Sequence, residues 1–138
     1  MLASTSGQSE PVPSHPLDPL TADEISRVAA TLRSESVLDE RWRFASIELA
    51  EPAKDELAAN RQGISRRAQV VCWNTADGRA YRALVSLADD TVAGWQHLPG
   101  QQPNMTVDEW HECDQMLRGH QALAEALAAR GITDMRGC

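Results

Sequence analysis

Between Leu32 and Trp42 the spacing of apolar residues changes from a helical period near 3.6 to a strand period of 2, and no single regular element satisfies both. The first stretch opens on Thr21-Ala22-Asp23-Glu24, which has the form of a capping box. Its hydroxyl can accept the Glu24 N–H, while the Glu24 carboxylate reaches back to the Thr21 N–H. Ile25, Val28, Ala29 and Leu32 then make one apolar stripe, which predicts a helix over roughly 21–36. The acidic first turn suits the positive end of its dipole.

The second period runs through a series of strands. Over 41–50, Trp42 and Phe44 alternate with Arg43 and Ala45, and Ile47 and Leu49 continue on the second face. Glu51-Pro52 stops this strand, because proline has no N–H for a ladder. The polar stretch 52–65, with Gly63, reads as a loop at a sheet edge. Residues 68–73 form a second strand, and Asn74 to Gly78 a turn whose Asp77-Gly78 supplies positive φ. From Arg79 to Leu87 the chain returns, with Tyr81, Ala83, Val85 and Leu87 on one face and Ala80 and Leu84 on the other. Asp89-Asp90 turns it again into a strand over 91–98. A helix followed by an antiparallel meander is an α+β arrangement, the helix lying across one face of a four-stranded sheet.

Pro99-Gly100-Gln101-Gln102-Pro103 marks a boundary, after which the opening recurs. Leu20-Thr21-Ala22-Asp23-Glu24-Ile25 is echoed by Met105-Thr106-Val107-Asp108-Glu109-Trp110. Val107, Trp110, Cys113 (or Asp114) and Leu117 follow at helical spacing until Gly119 breaks the run. An alanine- and leucine-rich helix over about 121–130 ends at Gly131, and Ile132 to Met135 begins to look like a strand. The organisation is therefore a tail over 1–14 rich in Ser, Pro, Gly and Gln, a complete domain over 15–99, and the helical start of a second, incomplete copy over 100–138.

Composition narrows the function classes. With 138 residues, 42% hydrophobic and 24% charged, the chain suits one compact domain or two very small ones rather than wholesale disorder. A net charge of -7 argues against nucleic acid as a partner. No apolar run approaches a membrane span, and the first residues lack a basic segment followed by an apolar one, so the expectation is a soluble, cytoplasmic protein without a membrane partner. Cys72, Cys113 and Cys138 read as free thiols, Cys72 as a small core residue.

Few residues carry recognisable chemistry. His111-Glu112-Cys113-Asp114 offers metal donors, but adjacent positions point different ways around a helix, and His120 lies beyond Gly119. The pairs Asp23/Glu24, Asp89/Asp90 and Asp108/Glu109 are accounted for by helix first turns and a chain turn. No phosphate loop, nucleophile elbow or Cys/His pair with an orienting acid is visible. Trp42, Trp73 and Trp95 lie one per strand and read as core rather than as a ligand platform.

Five segments in order, HPLDPLTADEI at 15–25, RWRFASIELAEPAK at 41–54, GRAYRALVSLADD at 78–90, LPGQQPNMTVDEWHECDQML at 98–117 and LAARGITDM at 127–135, resemble the N-terminal region of bacterial copper amine oxidases of the tyramine, phenylethylamine and histamine oxidase type. The resemblance implies two small cystatin-like domains, N2 and N3, the second truncated, ahead of a large catalytic domain. It implies a parent enzyme that deaminates primary amines oxidatively with copper and topaquinone, acting as a homodimer. No catalytic, cofactor-binding or metal residue carries over. The quinone tyrosine of that family lies in an Asn-Tyr-Asp/Glu motif, whereas Tyr81 stands in Ala80-Tyr81-Arg82, and the family's His-x-His pair has no counterpart. The chain alone is expected to be inactive, with the missing catalytic domain as its partner. Trp110 is the one candidate site residue, either near the amine channel of the parent or in the core of the second domain. The alternative is a stand-alone cystatin-like interaction module that uses the helix face over 121–130. A free-standing pocket enzyme ranks last, since the sheet faces offer mostly Ala, Val, Leu and Trp.

Overall fold

The computed structural model describes residues 15–35, 38–59 and 63–134, so the expected tail over 1–14 and Cys138 lie outside the described residues. The chain divides into two compact units, Met1–Pro103 and Asn104–Cys138.

In the first unit, helix α1 (Ala22–Ser34) packs on one face of a four-stranded antiparallel sheet. The strands are β1 (Trp42–Leu49), β2 (Arg67–Asn74), β3 (Ala80–Ser86) and β4 (Thr91–Leu98), in the order β1-β2-β3-β4. Helix α1 starts where the capping box places it. The Glu24 N–H donates to the Thr21 hydroxyl at 3.2 Å and the Thr21 N–H to the Glu24 carboxylate at 2.9 Å. The β2–β3 turn takes its positive φ from Gly78 alone (70°), and the β3–β4 turn from Asp90 (52°), a residue type that tolerates this region. Val28 and Leu32 meet Leu38, Ala68, Val70, Cys72, Ala83, Val85 and Leu87 in the core. The third strand's faces divide as its alternation predicts, with Ala83 and Val85 in the core and Tyr81 packed against it.

Four local readings are corrected. Ile47 does not fall on the second face of β1: the register slips between Phe44 and Ser46, so Ala45 is an extra residue and Trp42, Phe44 and Ile47 all pack against the core. The stretch 52–65 is not wholly a loop, because Lys54–Ala59 forms the short helix α2. It consists of good helix formers with Asp55 and Glu56 in its first turn, and Pro52 precedes it. Ile25 lies at the margin of the apolar stripe, 37% exposed, while Glu24 is turned inward. Trp73 pairs with Arg43 and Ala80 on the sheet face away from α1, and is half-buried rather than core.

The second unit holds α3 (Val107–Arg118) and α4 (Gln121–Ala128). Thr106 and Glu109 repeat the capping box, and Gly119 separates the helices. Gly131 (φ 83°) follows α4, with its N–H donating to the Ala128 carbonyl at 2.9 Å and the Ile132 N–H to Leu127 at 3.0 Å. This is a glycine-terminated helix end of the Schellman type. Of the strand expected to begin over Ile132 to Met135, Ile132 to Asp134 is not a strand and Met135 lies outside the described residues; no strand stands beside it among the described residues of this unit to accept a ladder. No residue of α3 or α4 is fully buried.

Candidate functional site

The structure places Trp110 on α3 with 65% of its surface exposed. It shares an apolar stripe with Val107 (72% exposed) and Leu117 (49%), so within the described residues these side chains do not form a domain core. Cys113, on the same helix, is also exposed. The α4 face is different: Leu123, Ala124 and Leu127 are half-buried, and Ala124, Leu127 and Ile132 line a cleft of about 250 Å³.

A second grouping lies on the sheet, on the face that also carries α1. The Tyr81 and Trp95 rings stack with centroids 5.2 Å apart, Trp42 meets both at 5.3 and 5.7 Å, and the His97 ring lies 5.0 Å from Tyr81. Cross-strand register explains it, since Tyr81 stands opposite His97 and Ala83 opposite Trp95. Trp95 is 37% exposed and His97 is exposed, so this aromatic platform is a half-open margin of the core. The one-per-strand spacing read Trp42 and Trp95 as core, and Trp95 is instead left half-open. On the opposite face Gln69, Arg82, Leu84, Gly94 and Gln96 line a shallow cleft of about 230 Å³ that Trp95 borders.

Among the described residues no three His, Cys, Asp or Glu side chains come together as a metal-holding group. The four histidines are dispersed: His15 precedes α1, His97 lies in β4, His111 in α3, and His120 caps α4 by accepting the Leu123 N–H on Nδ1 at 3.3 Å. Copper bound through imidazole needs several such nitrogens on one ion, and Tyr81 has a single imidazole beside it, so this donor set does not fit a copper–quinone pair. Burial pushes the Cys72 thiol up to about 12, which leaves it protonated and poorly nucleophilic. The Asp114 carboxyl is held below the usual range by its hydrogen bond from Arg118, which ties it into an ion pair one helical turn away.

Among the described residues of the first unit, the most enclosed ion pair was not legible from spacing. Arg66 Nε donates to Glu24 Oε1 at 2.9 Å and Nη2 to Oε2 at 3.0 Å, with both side chains largely buried. Burial pushes the Glu24 carboxyl up, but the Arg66 and Thr21 hydrogen bonds and the arginine's charge pull it further down, leaving it below the ordinary value. The missed signal was a second role for Glu24 beyond its cap.

Comparison with known proteins adds what this geometry lacks. Residues 21–94 match the AGAO-like N2 domain family. The chain is 40% identical over 123 residues to a primary amine oxidase of Arthrobacter sp. (strain P1), covering 88% of this chain and 19% of that protein. It is 30% identical over 123 residues to the histamine oxidase of Arthrobacter globiformis (86% and 18%) and 29% identical over 126 residues to a primary amine oxidase of Klebsiella aerogenes (87% and 16%). The chain thus spans about a fifth of the length of the curated relatives it matches.

Proposed function

Because the chain belongs to the AGAO-like N2 domain family, we propose that it serves as the non-catalytic N-terminal part of a copper- and topaquinone-dependent primary-amine oxidase. The observation that carries this reading is the match over 88% of the chain to a primary amine oxidase. In this reading the parent reaction converts a primary amine to aldehyde, ammonia and hydrogen peroxide, and copper and quinone supply the redox chemistry from a catalytic domain of a homodimer. This chain's residues bind neither. They supply an α+β unit in the first part of the chain and, in the second, an apolar helix surface that the catalytic domain would cover. Trp110 then contributes to the amine entrance, which its exposure permits.

The test is the mass of the native product, detected in its source cells with an antibody against residues 15–98. A band several times larger than 15.1 kDa that co-purifies with copper and amine-dependent peroxide production supports the proposal. A band at 15.1 kDa without either activity overturns it and favours the second reading, a stand-alone interaction module. One observation favours that alternative: Val107, Trp110, Met116 and Leu117 all leave large apolar side chains exposed on one short helix. Its centre is then α3 rather than the 121–130 face.

For Trp110 the measurement is kinetic. In the full-length parent enzyme, Trp110→Ala should change the kcat/KM ratio between small and bulky amines. Equal kinetics across both classes would remove Trp110 from the entrance.

A further inference from the structure

The segment His15–Leu20 has a composition that prevents it from joining either helix or sheet. Pro16 and Pro19 have no N–H to donate, and the segment's own hydrogen bonds close on themselves: the His15 N–H donates to Asp18 Oδ2 at 2.8 Å, and the Asp18 N–H to the His15 carbonyl at 3.0 Å. Its remaining carbonyls need a donor from elsewhere. They find it in one side chain. Arg66 Nη1 donates to the carbonyls of His15, Pro16 and Asp18 at 3.3, 3.2 and 2.9 Å, and Nη2 to that of Pro19 at 3.2 Å.

The same guanidinium grips both oxygens of Glu24 in α1. Its backbone carbonyl, in turn, accepts the Leu87 N–H at 3.0 Å and so belongs to the end of the sheet. One residue therefore joins the sheet, the helix start and the proline segment. Beyond this grip, Leu20 packs against the core margin, while Leu17 is 41% exposed.

We propose that His15–Leu20 is a strap with Arg66 as its latch, opening and closing against the end of the sheet as a unit of its own while the sheet stays folded. A lysine cannot replace the latch, because one ammonium has three donors in a compact head, whereas the planar fork reaches a carboxylate and a row of carbonyls together. Opening uncovers the apolar margin that Leu20 covers and frees the chain before α1 to point elsewhere.

The experiment is amide hydrogen exchange by NMR on the full chain at neutral pH, comparing the unaltered protein with Arg66→Gln. The Leu17, Asp18 and Leu20 amides should exchange about tenfold faster in the variant, while Val70, Val71 and Cys72 in β2 keep their protection. Unchanged strap exchange would overturn the latch. Uniform loss of protection across the unit, or a variant that does not fold, would overturn the strap's independence and make Arg66 a general support of the fold. Glu24→Gln gives a second arm, because it leaves the guanidinium its carbonyl partners while removing the charge that orients it. The strap should open less in this variant than in Arg66→Gln, and the reverse order would transfer the latch to Glu24.

Discussion

The two units begin with nearly the same phrase and end in different physical states. Thr21 with Glu24, and Thr106 with Glu109, build the same reciprocal cap. Four residues after Glu24 stands Val28, and Leu32 follows, both with no exposed surface; one residue after Glu109 stands Trp110, 65% exposed, and Leu117 follows at 49%. A cap and an amphipathic stripe therefore specify that a helix forms and where it begins. They do not specify whether its stripe is buried, which depends on a facing surface that a sheet supplies in the first unit.

The largest effect expected from this contrast comes from truncating matched leucines. Leu32→Ala removes a fully buried side chain from the core and should cost about 2–5 kcal/mol in chemical denaturation. Leu117→Ala should fall within about 0.5 kcal/mol of no change. Equal losses would show that the α3 stripe is buried in solution.

The caps sharpen the comparison one step further. A capping box works with Gln as well as Glu at its third helical position, so Glu109→Gln should cost only a few tenths of a kcal/mol, about the difference between two adequate caps. Glu24→Gln should cost about 1–3 kcal/mol, because it leaves the enclosed Arg66 charge without its carboxylate. A thermal melt of each variant separates the two.

Acid should act on the same group. The folded Glu24 carboxyl lies below its ordinary value of 4.5, so its contribution is fully present above that value and is lost as pH falls through the lower folded one. The unfolding midpoint of the first unit should therefore drop below pH 4.5, and the drop should shrink in Glu24→Gln. A pH profile unchanged by that substitution would remove Glu24 from the acid response.

The one expected gain is at the α4 start, and it is smaller than the losses at Leu32 and Glu24. Replacing the His120 cap with Asp should raise helicity by up to about 1 kcal/mol of cap strength, read by circular dichroism, since Asp is a preferred cap and its charge suits the helix dipole. No gain in ellipticity would mean that the His120 imidazole already caps as well as a carboxylate.

The parts of the fold that were legible in the sequence are those set by neighbours along the chain. The capping boxes, Gly78, Asp90 and Gly131 are decided within a few residues, and the α1 and β3 faces follow from one period each. What escaped depends on residues far apart. Glu24 reads as a cap until Arg66, 42 positions on, is seen to share it. The Ala45 bulge inverts the parity of β1, so Ile47 joins the face of Phe44; its alternation alone assigns it to the other. Trp95 read as core because it lies in an alternating strand run, yet it is 37% exposed, since alternation gives a face and not what covers it. For the candidate site, the chain position of Trp110 was readable and its exposure was not, since exposure is a statement about what else is present.

Both register slips fall where the sheet meets the outside. One extra residue, Ala45, sits in β1, and another, Ala93, in β4, between Gly94 opposite Leu84 and Val92 opposite Val85. The central pair, β2 with β3, runs without interruption. An outer strand with an unbroken row of amides and carbonyls is a template on which a passing chain can extend the sheet, and a bulge breaks the row's spacing and twists it away. With one on each margin, this sheet offers no long matching edge to a neighbour.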